Sequence, residues 1–187
     1  MYPFPSAPDT WGLSESIVGD WMAARGNRDK LVVATKITGP GTRFGHIRGG
    51  DLRFGPEQIR DAVEGSLKRL RTDYIDLYQL HWPQRATNFF GQLGYRHADA
   101  DMGTPLEETL GALADMVAEG KVRAVGVSNE TPWGLMRLLA LAEAAGLPRM
   151  AAIQNPYSLT NRVFEVGLAE PAIREDCPLL AYSPLAF

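Results

Sequence analysis

The sequence predicts an α/β fold built on parallel strands; two features carry that expectation and a third narrows it. Five short apolar runs recur along the 187 residues, at 31–35, 75–80, 122–127, 150–153 and 179–182. Helix-period segments lie between them, and strand–helix–strand alternation implies parallel neighbours joined by right-handed crossovers. The runs are rich in β-branched residues or bounded by turn signals and do not alternate cleanly with polar residues, the pattern of strands covered on both faces. The third feature is an absence: no run is followed by the Gly-rich phosphate loop of a Rossmann sheet. Alternation alone leaves a barrel and an open doubly wound sheet both open.

The elements follow in order. The N-terminus carries Pro3, Pro5, Pro8 and Asp9 where a signal peptide would need an apolar run. The first run ends in Lys36, and the segment after it, 37–55, holds six glycines together with Arg43, Phe44 and His46. Ile59, Val63, Leu67 and Leu70 make a helical stripe, with Lys68, Arg69 and Arg71 at its end, where cations complement the helix dipole. The second run ends in His81-Trp82 and opens another long segment, 82–103, containing Phe89, Phe90, Tyr95 and His97. Long aromatic loops after the C-terminal ends of strands read as functional, because barrel enzymes place their sites on that side. Thr104-Pro105 followed by Glu107 and Glu108 has the form of a helix start. Leu106, Leu110, Leu113 and Val117 supply the stripe and Gly120 the stop. The third run ends in Ser128-Asn129, and Gly146-Leu147-Pro148 closes the helix after it. The last two runs end in Gln154-Asn155 and Tyr182-Ser183.

Composition bounds the rest. With 45% apolar residues and no linker, residues 1–187 read as one domain with a sizeable core. A net charge of -3 with scattered Arg and Lys offers no basic face to phosphates, which argues against a nucleic-acid partner. Cys177 is the sole cysteine, so no internal disulfide is possible, and its neighbours Pro178 and Leu179 suit a quiet buried thiol. His46, His81 and His97 lie far apart without ligand-pair spacing, so no metal site is expected. The most apolar stretch, 135–147, is broken by Arg137 and Glu143 and falls far short of a membrane span. A cytoplasmic location is the expectation, and nothing in the sequence speaks to oligomeric state.

Each apolar run is finished by a polar group able to donate hydrogen bonds, and together these would ring one face of a barrel. Singly, each has a plainer reading. A Lys after a strand is solvated, a His is satisfied structurally, and Ser128-Asn129 could cap the helix that starts at Thr131-Pro132. Recurrence at all five ends marks a site.

Those same residues carry a resemblance. Val33-Ala34-Thr35-Lys36, Leu67-Lys68-Arg69-Leu70 with Thr72-Asp73-Tyr74-Ile75-Asp76-Leu77-Tyr78, and Leu80-His81-Trp82-Pro83 resemble the aldo-keto reductase family. So do Gly120-Lys121-Val122-Arg123 with Gly126-Val127-Ser128-Asn129, Ile153-Gln154-Asn155-Pro156-Tyr157-Ser158, and Ala181-Tyr182-Ser183-Pro184-Leu185. They occur in the family's order over nearly the whole chain, and look most like the bacterial branch related to the β-subunits of voltage-gated potassium channels. The resemblance implies a (β/α)8 TIM barrel, of which about five of eight strands are present.

It also implies NADPH-dependent reduction of aldehydes and ketones by a Tyr, Lys, His and Asp tetrad. By match of motif the Tyr is Tyr2, donating a proton to the carbonyl oxygen; Lys36 lowers the phenol's pKa from about 10. His81 orients the carbonyl. Ser128, Asn129 and Gln154 match the residues that hold the nicotinamide carboxamide, and Tyr182 the aromatic that stacks on the ring. Ser183, Pro184 and Leu185 match the start of the pyrophosphate loop, and Trp82 with the loop after it would line the substrate pocket.

The match implies that the tetrad Asp, the first strands, the last strand and the site for the adenosine 2′-phosphate lie outside this chain, which alone would then fold poorly and be inactive. Two other readings stand beside it. One is a non-catalytic NADP(H)-binding regulatory subunit like the channel β-subunits. The other makes Lys36 a Schiff-base nucleophile in a barrel lyase, which leaves the Ser128, Asn129, Gln154 and Tyr182 ring unexplained.

Overall fold

The computed structural model describes residues 6–41, 44–98 and 103–186. Five parallel strands form one sheet: β1 (Ala34–Ile37), β2 (Ile75–Leu80), β3 (Val122–Ser128), β4 (Met150–Pro156) and β5 (Leu179–Tyr182). Their spatial order, β1-β2-β3-β4-β5, is their order in the chain. That order answers the question left by the alternation. A doubly wound sheet needs a point where strand order reverses, and none exists among these strands. Every right-handed crossover therefore puts its helix on the same face, as in an arc of a barrel.

Helices α1 (Leu13–Arg25), α2 (Pro56–Leu70), α3 (Leu106–Ala118) and α4 (Pro132–Ala145) precede β1 to β4, and the short α5 (Phe164–Gly167) and α6 (Ala169–Arg174) precede β5. The predicted stripes are the faces that bury. Ile59 and Val63 of α2 are fully buried, as are Leu110 and Leu113 of α3, and they pack on Ile75, Val122 and Val125 of the sheet. Each such side chain contributes about 1.5–3 kcal/mol by leaving water. Helix α1 carried no clear stripe. It is set against α2 by Gly19, where a Cβ would strike the backbone at Arg69 and Leu70, and its outer face leaves Ile17, Val18 and Trp21 exposed.

Strand boundaries moved where polar residues continue the ladder. The run at 31–35 becomes β1 (Ala34–Ile37), so Lys36 lies inside a strand, paired with Gln79. The fourth strand extends to Pro156, taking Gln154 with it.

At the opposite end of the sheet from these polar residues, Asp76 ties three elements together. Its carboxylate receives Arg28 at 2.7 Å, Arg123 at 2.9 Å and the Val33 amide at 2.9 Å, while both guanidiniums stack on the Tyr74 ring, each 3.9 Å from its centroid. Burial alone would raise the Asp76 pKa, but the Val33 N–H and the two arginines outweigh it and hold the carboxyl below its ordinary 3.8. A depressed carboxylate stabilises the fold above its unfolded pKa, and that contribution is lost as pH falls through the folded value. Asp76→Asn should therefore destabilise by about 1–3 kcal/mol at pH 7, with the gap from the native protein closing below pH 3.8. Urea unfolding at both pH values reads this directly; a gap that persists in acid would show that the loss is one of packing.

Candidate active site

In a parallel sheet the carboxyl ends of all strands lie on one side, so residues that end different strands meet there. One cavity of about 850 Å³ gathers Lys36 from β1, His81 just after β2, Ser128 and Asn129 at the end of β3, Gln154 from β4, and Tyr182 and Ser183 at the end of β5. Seven residues singled out in the sequence thus share one space. Period-two alternation explains why. Lys36, Gln79 and Gly126 are register partners on one face of the sheet, and Thr35, Tyr78 and Val125 on the face toward the helices.

Burial controls the electrostatics. It lowers the Lys36 ammonium from 10.5 to about 8, with no hydrogen bond or ion pair to the described residues to compensate it. Burial, reinforced by the charge of Lys36, pushes His81 from 6.5 down to about 3, so the imidazole is neutral at pH 7 and keeps one donor and one acceptor nitrogen. Burial also raises the Tyr182 phenol, which stays protonated and able to donate.

A hydrogen-bonded ring fixes the floor. Asn129 adopts a left-handed backbone with φ of 53°, which turns its amide back over the strand ends. Its Nδ2 donates to the His81 carbonyl at 2.9 Å and to Ser128 Oγ at 3.1 Å, and its Oδ1 accepts from the Tyr182 hydroxyl at 2.6 Å. Ser128 Oγ donates to the Gln154 carbonyl at 2.8 Å. Asn129 thereby links β2, β3 and β5. Capping of α4 falls to Thr131, whose side chain accepts from the Gly134 amide, so Ser128 and Asn129 are left to the cavity. Gln154 Oε1 is buried with no hydrogen-bond partner among the described residues. A buried acceptor left so is unfavourable by about 1–3 kcal/mol unless a donor reaches it.

The other sequence candidates fall elsewhere. Trp82 is buried beside His81, ring centroids 4.6 Å apart, with its indole N–H donated to the Pro40 carbonyl at 2.9 Å; it lines a neighbouring cavity of about 490 Å³ between α3 and α4. Pro184 and Leu185 are exposed and do not line the site cavity. Tyr2 lies outside the described residues. Cys177 is buried and its thiol is pushed up to about 11 by burial. Among the described residues no group of three or more His, Cys, Asp or Glu is placed to hold a metal ion, and no helix is long and apolar enough to cross a membrane.

Two groups near the site went unassigned in the sequence. Arg85 and Glu130 form a buried ion pair, with Arg85 Nη1 3.0 Å from Glu130 Oε2 and Nη2 2.5 Å from Oε1. Arg85 also reaches Thr131 Oγ1 at 2.8 Å, and Gly134 carries no Cβ where one would strike both partners. No spacing in the sequence links residues 45 apart. Ser158, Asn161 and Arg162 also line the cavity, beside Phe90 and Leu93 of the loop after Trp82 that the resemblance sets at the substrate pocket.

Comparison with known proteins gives a consistent picture. The model of the aldo/keto reductase family matches residues 7–187. The chain is 52% identical, over its whole length, to the protein Tas of Escherichia coli, of which it covers 54%. It is 39% identical to an aldo-keto reductase of Babesia bovis, over 84% of this chain and 59% of that one. Among solved structures, an aldo/keto reductase from Klebsiella pneumoniae in complex with NADP and acetate aligns with a TM-score of 0.67 at 32% identity, over 93% of this chain and 49% of that one. A thermostable aldo-keto reductase solved with the inhibitor epalrestat aligns with a TM-score of 0.71 at 28% identity, over 93% of this chain and 52% of that one. The chain thus spans about half the length of the first relatives it matches.

Proposed function

The chain belongs to the aldo/keto reductase family, and on that premise we propose that it carries the carbonyl-reduction centre of an NADPH-dependent reductase of aldehydes and ketones. The observation behind this reading is the single cavity that joins a buried ammonium, a neutral imidazole and an amide-rich floor. The bound cofactor would supply the hydride for the carbonyl carbon.

The chain's own groups fit both partners. Gln154 Oε1 is a buried acceptor with no donor among the described residues, which suits the N–H of a carboxamide, and the half-buried Tyr182 ring offers a face to an aromatic heterocycle. Asn129 serves through position: with both Nδ2 hydrogens spent on His81 and Ser128, it sets the spacing of the floor. Neutral His81 can donate one N–H to a carbonyl oxygen as negative charge develops there. Lys36, cationic below about pH 8, lowers the pKa of a nearby phenol by favouring its anion, and Tyr2 is the proposed proton donor. A phenol tuned in this way holds its proton at neutral pH and releases it in the transition state. Ser183, Pro184 and Leu185 are assigned to the pyrophosphate side.

The test is steady-state oxidation of NADPH by a panel of aldehydes, with His81→Ala as control. Turnover that falls about 10²-fold or more in the variant supports the reading; cofactor binding without turnover of any carbonyl compound would favour the regulatory-subunit reading.

Two further outcomes follow from the same groups. Because Lys36 acts as a cation, kcat/KM should decline as pH rises through about 8, approaching tenfold per unit; a rate that climbs there would assign Lys36 a role as free amine. Gln154→Leu should weaken NADPH binding by about tenfold, the worth of one buried hydrogen bond, while raising protein stability by removing an orphaned acceptor. Fluorescence titration and thermal unfolding read the two effects.

A further inference from the structure

The Arg85–Glu130 ion pair stands outside the site cavity. Neither residue lines it, and both line the neighbouring cavity of about 490 Å³ between α3 and α4. Yet each sits on a segment that carries a site residue. Arg85 belongs to the loop that starts at His81, and Glu130 follows Asn129 directly in the chain. The pair therefore ties the loop of the imidazole to the amide floor. A second tie runs beside it, from Asn129 Nδ2 to the His81 carbonyl at 2.9 Å. Three contacts hold the pair in place. Arg85 reaches Thr131 Oγ1 at 2.8 Å, the Trp133 ring covers the guanidinium 4.9 Å from its centroid, and the Glu130 carbonyl accepts at 3.2 Å from Asn155, the neighbour of Gln154 on β4.

Stability gives no reason for charge here, since an apolar pair of similar volume often holds a fold as well or better. What apolar packing lacks is direction. Two N–H···O bonds, at 3.0 Å to Oε2 and 2.5 Å to Oε1, fix the separation and the angle of the two segments together. Reduction depends on such control, because the floor holds one reactant and His81 the other, and the two must meet at one carbon–oxygen bond. An error of about 1 Å in such an arrangement lowers the rate by as much as 10²-fold.

Resting on the carbonyl-reductase reading above, we propose that Arg85 and Glu130 are positioning residues for the reduction: their forked ion pair sets the distance between the His81 imidazole and the floor made by Ser128, Asn129 and Gln154, without touching substrate or cofactor.

The test separates placement from folding. Arg85→Met with Glu130→Leu strands no charge, and Arg85→Lys keeps the charge but gives up the fork. Urea unfolding, fluorescence titration with NADPH and kcat for a panel of aldehydes are measured for both and for the native protein. Both should bind NADPH within about twofold of the native protein, while kcat falls about tenfold or more in the double variant and less in Arg85→Lys. Native kcat in both variants overturns the proposal. So does a loss of NADPH affinity that matches the loss of kcat, since the floor itself is then damaged. If the native protein reduces no carbonyl compound, the reductase reading fails separately. The positioning role is then judged by hydrogen exchange at the His81 amide, bonded to the Ile37 carbonyl, and at the Asn129 amide, bonded to the Gln154 carbonyl. Exchange about tenfold faster in the variants than their change in global stability accounts for supports it, and exchange that tracks global stability overturns it.

Discussion

Lys36→Met should make this protein more stable and catalytically silent at once. The ammonium is lowered from 10.5 to about 8 by burial alone, so at pH 7 the folded chain holds a cation that the unfolded chain would solvate. At roughly 1.4 kcal/mol per unit the shift is worth about 3 kcal/mol, and water reaching the partly exposed side chain trims this to about 2 kcal/mol. The sign follows from proton counting. Between about 8 and 10.5 the unfolded state binds more protons than the folded one, so stability rises with pH across that window and is lowest below it. Methionine has similar length and no charge, so it removes both the penalty and the slope. Urea unfolding at pH 7 and pH 10 should show the variant ahead by about 2 kcal/mol at the lower pH and nearly level at the higher. On the proposed mechanism, in which Lys36 tunes the proton-donating phenol, carbonyl turnover should fall by about 10²-fold or more. A variant no more stable than the native protein would mean that the ammonium has an offsetting partner.

Arg85→Met should give the largest loss of stability, about 3–5 kcal/mol, because it strands the Glu130 carboxylate in the interior. Both side chains are nearly inaccessible, at 7% and 5% exposure, so the loss should be insensitive to added salt. The position makes the loss spread. The Glu130 carboxylate also accepts from the Thr131 amide at 2.6 Å, and its carbonyl accepts from Asn155 Nδ2 at 3.2 Å. The pair therefore supports the start of α4 and the turn that presents Ser128 and Asn129. Replacing both partners, Arg85→Met with Glu130→Leu, should recover most of the stability, since an apolar pair of similar size carries no stranded charge. A single variant within 1 kcal/mol of the native protein, on denaturation by urea, would show that water reaches the pair.

The sequence was most legible where local chemistry repeats. Helices α2 and α3 could be read from apolar stripes that become their buried faces, and β5 from its apolar run, found at the same residues. The polar residues closing those runs could be read as a set, because parallel strands leave no other side for them to meet. Helix α1 was illegible because its faces differ little in polarity. Its place depends on Gly19 allowing close approach to α2 and on Glu15, buried between Thr35 and Arg69.

By itself the sequence determined the parallel α/β class, the composition of the strand ends and the candidate residues Lys36, His81, Ser128, Asn129, Gln154 and Tyr182, since each follows from short-range periodicity or motif. Strand order, the left-handed turn of Asn129 and the Arg85–Glu130 pair were decided by tertiary structure. These depend on contacts between residues that only the folded sheet brings together, and the depressed proton affinities of Lys36 and His81 depend on burial that no single residue carries in its identity.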